Sequence, residues 1–255
     1  MRKIRAEKRL SFMIKAWGIT DKGAVRPQNQ DAYYLEVRPE GWAVGLVCDG
    51  MGGARAGNVA SLLAVEQFTA ALERLPDGPP EDPEALLAQA SGEANEAVYQ
   101  RARTDPDCRG MGTTMVAAVL VGEMSYLLNV GDSRAYHIDA EGIRKITRDH
   151  SLVEDMVRRG DITPEQARNH PQKNLITRAL GTERQLRPDF FRQSVAAGEA
   201  LLLCSDGLSN VVSDQEMLYE VLHGGPSEDC CRRLLDIALN RGAPDNVTCV
   251  LIQTV

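Results

Sequence analysis

The sequence has no CxxC pair and no apolar run approaching the ~18–20 residues that span a bilayer as a helix. It has no surplus of basic residues either. Without CxxC spacing, a zinc or redox motif finds no support. Cys48, Cys204 and Cys249 sit inside apolar, strand-like runs, so the cysteines are expected as buried reduced thiols of a reducing compartment. The missing apolar span argues against membrane insertion. The first ten residues are basic, but no hydrophobic region or small-residue cleavage site follows, so a cytoplasmic protein is expected. Lys and Arg total 29 against 36 Asp and Glu, a formal charge of −7 that argues against a nucleic-acid partner. An anionic substrate remains compatible where a metal centre supplies local positive charge. The glycine-rich stretch 50–57 lacks the Lys-Ser/Thr of a P-loop.

A chain of 255 residues can bury a sizeable core without staples, and 43% hydrophobic with 25% charged residues is ordinary for a globular protein. Residues 1–12 are polar and charged and read as a flexible tail, with Met13 as an alternative start; 13–255 reads as one domain. Strand patterns cover 16–20, 32–37 and 42–48, and apolar residues at helical spacing follow over 56–74 and 83–103. Short strands are predicted at 114–121, 124–130, 134–138 and 143–146, with brief connections that suit antiparallel hairpins. From 150 to 174 the chain turns polar and helical, with Ser151 and Thr163 as N-caps. Strands at 188–193, 200–204 and 247–252, and helices at 214–222 and 227–240, complete the pattern. Strands and helices come in blocks, which predicts an α+β fold of antiparallel sheets with helices packed outside.

Three aspartates stand out by position. The apolar run 44–48 leads straight into Asp49-Gly50, the run 201–205 leads into Asp206-Gly207, and Asp245-Asn246 precedes the run 247–252. One Asp-Gly after a strand is simply a turn dipeptide. Several carboxylates at stiff strand ends repel one another unless a cation compensates. Oxygen ligands without a His/Cys set select Mg²⁺ or Mn²⁺ over zinc, and Gly50, lacking a Cβ, lets its carbonyl approach a metal closely. His137, His170 and His223 show no ligand spacing and are expected at the surface or an edge. His150 is expected to cap or hydrogen-bond, and Arg134 to pair with a carboxylate or touch substrate.

Other segments extend the pattern: Arg26-Pro27-Gln28-Asn29-Gln30-Asp31, Asp49-Gly50-Met51-Gly52-Gly53 with Gly57 and Ala60-Ser61, Met111-Gly112-Thr113-Thr114, and Gly131-Asp132-Ser133-Arg134-Ala135-Tyr136. Asp149-His150-Ser151, Thr177-Arg178-Ala179-Leu180-Gly181, Ser205-Asp206-Gly207-Leu208 and Asp245-Asn246-Val247-Thr248 follow in order. This series resembles the metal-dependent protein phosphatases of type 2C, in their bacterial form, over nearly the whole chain.

The resemblance implies an αββα sandwich and one phosphatase domain over 13–255, with a flap at about 150–174. It implies hydrolysis of phosphoserine and phosphothreonine through a hydroxide shared by two Mn²⁺ or Mg²⁺ ions. Asp49 would bridge the ions, Asp206 and Asp245 would hold the first, and the Gly50 carbonyl the second. Arg26 would grip the substrate phosphate, Asp31 would assist the metals indirectly, and Asp132 would hold a third ion. Partners would be phosphorylated Ser/Thr proteins and an opposing cytosolic Ser/Thr kinase, and a monomer is expected. Two positions depart from the family pattern: Gln30 replaces a common Glu, and Met51 stands where some members place a His, leaving a water as proton donor to the leaving group. The alternative is a catalytically weak relative that acts as a phosphoprotein-binding scaffold.

Overall fold

A computed structural model describes residues 13–76 and 78–255, so the tail expected at 1–12 lies outside the described residues. The chain begins with β1 (Ile14–Asp21), β2 (Asp31–Arg38) and β3 (Trp42–Met51), followed by the helices α1 (Gly53–Glu73) and α2 (Pro83–Thr104). Next come β4 (Gly112–Thr113), β5 (Met115–Val121), β6 (Met124–Val130), β7 (Arg134–Asp139) and β8 (Gly142–Lys145). An excursion carrying α3 (Leu152–Arg159) and α4 (Pro164–Arg168) leads to β9 (Asp189–Ser194) and β10 (Ala200–Cys204). The chain ends with α5 (Asp206–Ser209), α6 (Asp214–Leu222), α7 (Cys230–Asn240) and β11 (Val247–Thr254).

The strands form two antiparallel sheets, ordered β1-β11-β10-β7-β8 and β2-β3-β5-β6-β9, with β4 added to the end of β3. Side chains alternate across a strand, and both faces of these strands are covered. On β3, Trp42, Val44, Leu46 and Cys48 pack under α1 and α2, whereas Ala43 and Val47 face the other sheet. On β10, Leu202 and Cys204 pack under the α6 and α7 side, whereas Leu201 and Leu203 face inward. Three apolar layers result, and the architecture is an αββα sandwich. Trp42, Phe68, Leu72 and Leu87 are fully buried in the first layer. Truncating any of them to Ala would cost about 2–5 kcal/mol.

Local signals set the helix starts. Asp82 caps α2 by accepting from Ala85 N–H, with Pro83 as first helical residue. Thr163 with Gln166 and Ser213 with Glu216 form capping boxes at α4 and α6. The excursion is tied at its base by Leu152 N–H to Leu175 O (2.9 Å) and Thr177 N–H to His150 O (2.7 Å).

Two expectations change. β3 continues through Asp49 and Gly50 to Met51, because β4, sixty residues further on, pairs with its end. His137 is buried, not at the surface: its Nε2 lies 2.9 Å from Glu199 Oε2 and its Nδ1 3.5 Å from Asp139 Oδ2. All six cysteines are free and buried.

Candidate metal centre

The antiparallel registers bring distant segments to one end of the sandwich. Asp31 at the start of β2 is the cross-strand partner of Asp49. Cys204, two residues before Asp206, pairs with Arg134 on one side and Cys249 on the other. A cavity of about 480 Å³ opens there, lined by Arg26, Asp49, Gly50, Asp132, Asp206 and Asp245 together with Thr114, Asn174 and Asn246. Asp31 does not reach its wall.

The backbone around these acids is pinned. Asp49 N–H donates to Thr114 Oγ1 (2.9 Å), and Asp49 O accepts from Thr114 N–H (2.8 Å) and Thr113 Oγ1–H (2.9 Å). Asn246 acts as a clasp: its Oδ1 accepts from Gln30 N–H, and its Nδ2 donates to Lys22 O and Gln28 O. A Cβ on Gly207 would stand 1.8 Å from Asn246 O, so only glycine lets the Asp206 turn sit against the Asp245–Asn246 backbone. Likewise, a Cβ on Gly50 would meet Gly57 O at 2.1 Å.

The carboxylates are enclosed and poorly compensated. Asp49 and Asp206 are within hydrogen-bonding reach of each other, and loss of water raises the pKa of both, with neighbouring aspartates adding repulsion. Desolvation, helped by Asp206 and Asp149, pushes Asp132 to about 7. Desolvation also lifts Asp31 to about 7, even though its Oδ2 accepts from Ser205 Oγ–H (2.8 Å) and Thr248 Oγ1–H (2.7 Å). Asp31 Oδ1 is buried without a hydrogen-bond partner. Arg26 donates from Nη2 to Asp245 Oδ2 at 2.7 Å, with its side chain half exposed at the cavity rim. Arg134, the other nearby cation, is committed to Asp149 through Nε and Nη2. Crowded oxygen donors, with no His or Cys on the wall and a deficit of positive charge among the described residues, fit hard divalent cations such as Mg²⁺ or Mn²⁺.

These features fall inside a family. The model of the protein phosphatase 2C family, "Protein phosphatase 2C", matches residues 24–248. The chain belongs to the protein phosphatase 2C family. It is 39% identical over 248 residues to the serine/threonine protein phosphatase PstP of Mycobacterium tuberculosis, covering 97% of this chain but 46% of PstP. The chain thus spans about half the length of that relative. It is 37% identical to the serine/threonine phosphatase stp of Listeria monocytogenes, covering 92% of this chain and 93% of that one. The crystal structure of the catalytic domain of PstP in complex with two manganese ions superposes with a TM-score of 0.84 at 36% identity, over 96% of this chain and 99% of that one. Solved members of this family thus share the sandwich.

Of the site residues expected from sequence, Arg26, Asp49, Gly50, Asp132, Asp206 and Asp245 share the cavity, and Asp31 stands behind it. Sequence reasoning assigned no role to Thr114 or Asn246. The only signal for Asn246 was an amide side chain next to Asp245 at the mouth of a strand. His150 hydrogen-bonds as expected: Gly131 N–H donates to its Nδ1 (3.1 Å), which places the ring proton on Nε2, 3.3 Å from Asp189 Oδ2. Arg134 pairs with a carboxylate, Asp149.

Among the described residues no helix is long and apolar enough to cross a membrane.

Proposed function

We propose that this chain is a protein serine/threonine phosphatase that hydrolyses phosphoserine and phosphothreonine with a pair of Mn²⁺ or Mg²⁺ ions. The observation that carries the reading is the convergence of Asp49, Asp206 and Asp245 on one cavity where, among the described residues, Arg26 alone brings positive charge to the wall, and to Asp245. Asp49, Asp206, Asp245 and the Gly50 carbonyl would hold the pair, with Asp132 available to a third ion. Bound there, the cations would acidify a shared water, giving a hydroxide nucleophile at neutral pH, and would offset charge on the phosphoryl oxygens.

The protein's own groups do the rest. Arg26 sits at the rim on an exposed stem, and its fork of donors matches two phosphoryl oxygens once it leaves Asp245. Thr113 and Thr114 hold the Asp49 backbone, and Asn246 holds the Gln30 backbone, so that little reorganisation accompanies reaction. Asp31 stands beside Asp49 in the β2–β3 register and ties down the hydroxyls of Ser205 and Thr248, neighbours of Asp206 and Asp245 in the chain. Met51 on the wall offers no proton, so an ordered water protonates the leaving Ser or Thr oxygen. The excursion 150–174 contributes Asn174 to the cavity and acts as a flap over it. Opposition to a Ser/Thr kinase in the cytoplasm follows from the substrate class, and six free thiols suit that compartment.

Purified protein should turn over p-nitrophenyl phosphate and a phosphothreonine peptide with Mn²⁺ and stop on addition of EDTA. Asp206→Asn should lose activity while still folding. Turnover that persists in excess chelator contradicts the reading, and peptide affinity without turnover favours the scaffold alternative.

A further inference from the structure

Beside the aspartate cavity lies a larger one of about 940 Å³. α3 and α4 of the excursion form one side, β7 and β8 the floor, and the turn between α5 and α6 the far side. Asp132, Asn174 and Asp206 line both cavities. An extended chain with its phosphorylated residue at the aspartates therefore has an open path into the second space.

The charges along this path are mostly consumed by the protein. On the floor, Arg134 and Lys145 are taken up by Asp149, and at the far side Arg241 pairs with Glu216. Asp214 stands in the first turn of α6, where the helix N-terminus accommodates an acid. Arg168 at the end of α4 and Lys173 just beyond it differ. Both are exposed, and neither side chain has an ion pair or hydrogen bond among the described residues. The fold does not need them, because α4 is held by its Thr163–Gln166 capping box. Single solvated cations are commonplace; two unpaired ones on the same side of a groove leading to the reaction centre form an anion-selective edge.

We propose that Arg168 and Lys173 form a second anionic subsite. It selects phosphoprotein segments that carry a carboxylate or a second phosphate a few residues from the phosphoserine or phosphothreonine being hydrolysed. The subsite rests on the phosphatase reading of the aspartate cavity. Exposed charge contacts are modest and screened by salt, so it shifts KM by about fivefold to tenfold at low ionic strength. It binds substrate and transition state alike, so kcat stays nearly constant.

The test compares the Mn²⁺-loaded wild type with the double variant R168A/K173A. Substrates are p-nitrophenyl phosphate, a phosphothreonine peptide with Gln flanks, and the same peptide with one Glu or a second phosphothreonine placed two to five residues to either side. The wild type should favour at least one Glu or doubly phosphorylated peptide through a lower KM. The double variant should treat all peptides as it treats the Gln peptide and keep wild-type turnover of p-nitrophenyl phosphate. The Glu and phosphothreonine arms report whether carboxylate, phosphate or both are read. Equal KM for all peptides in the wild type, or an unchanged preference in the double variant, overturns the subsite while p-nitrophenyl phosphate turnover leaves the phosphatase reading standing. No turnover of any substrate overturns both.

Discussion

Two groups of aspartates at the same end of the sandwich are treated in opposite ways. Asp149 is 7% exposed, and the protein surrounds it with cations: Arg134 Nη2 at 2.7 Å and Nε at 3.0 Å, and Lys145 Nζ at 3.2 Å. Asp49, Asp132 and Asp206 are also enclosed, yet among the described residues Arg26 pairs with Asp245 instead, and the pKa of each of the three is raised. A buried acid needs a counter-charge or a proton. The protein supplies the counter-charge to one group and not to the other, the pattern expected if the first is a structural ion pair and the second the proposed metal centre.

The comparison breaks most sharply at Asp206. A metal centre supplies several kcal/mol of transition-state stabilisation, so Asp206→Asn should lower kcat/KM on the order of 10³-fold on p-nitrophenyl phosphate. The same variant should melt at a higher temperature than wild type in EDTA, since one uncompensated charge is gone. A drop in melting temperature there would place Asp206 with Asp149, as an acid the fold requires.

Arg134→Met tests the other group. It leaves Asp149 enclosed beside Lys145 alone and should destabilise the protein by about 3 kcal/mol in urea unfolding, with or without metal. A loss that Mn²⁺ abolishes would mean that the two groups share one counter-charge.

Cation binding should separate the groups next. Mn²⁺ at about a hundred times its Kd stabilises a folded protein by about 2.7 kcal/mol. Wild type and Arg134→Met should both gain this in calorimetric melting, whereas Asp206→Asn should gain far less.

The last effect is spread over pH. Asp31 and Asp132 titrate at about 7 in the folded, metal-free protein, against an ordinary 3.8. Because the folded state holds these protons more tightly, their contribution is present below pH 4 and is lost as pH rises through 7. In EDTA, stability should therefore fall by about 2 kcal/mol per pH unit between pH 5 and 7. Saturating Mn²⁺ should flatten that slope, and a metal-free protein that grows more stable over the interval would reverse the sign and refute the assignment.

Much of this was legible in the sequence because the site is written at strand ends. Apolar runs that stop at Asp49 and Asp206, or start after Asp245, mark both the strands and the acids they carry. The blocks of strands and helices likewise announced antiparallel sheets with helices packed outside, and the family resemblance supplied the sandwich. What escaped depends on distant partners. The extension of β3 to Met51 requires β4, whose two residues carry no strand pattern of their own. The burial of His137 depends on Glu199, sixty-two positions away, closing over it. Asn246 carried no assigned role, and its part as a clasp exists only when Lys22, Gln28 and Gln30 pass beside it.

The most direct measurement is diffraction from crystals soaked in Mn²⁺ and collected at the manganese absorption edge. Anomalous peaks bounded by the carboxylates of Asp49, Asp206 and Asp245, and lost from the Asp206→Asn variant, are the expected result. Full manganese occupancy elsewhere with none between those three side chains would contradict the assignment.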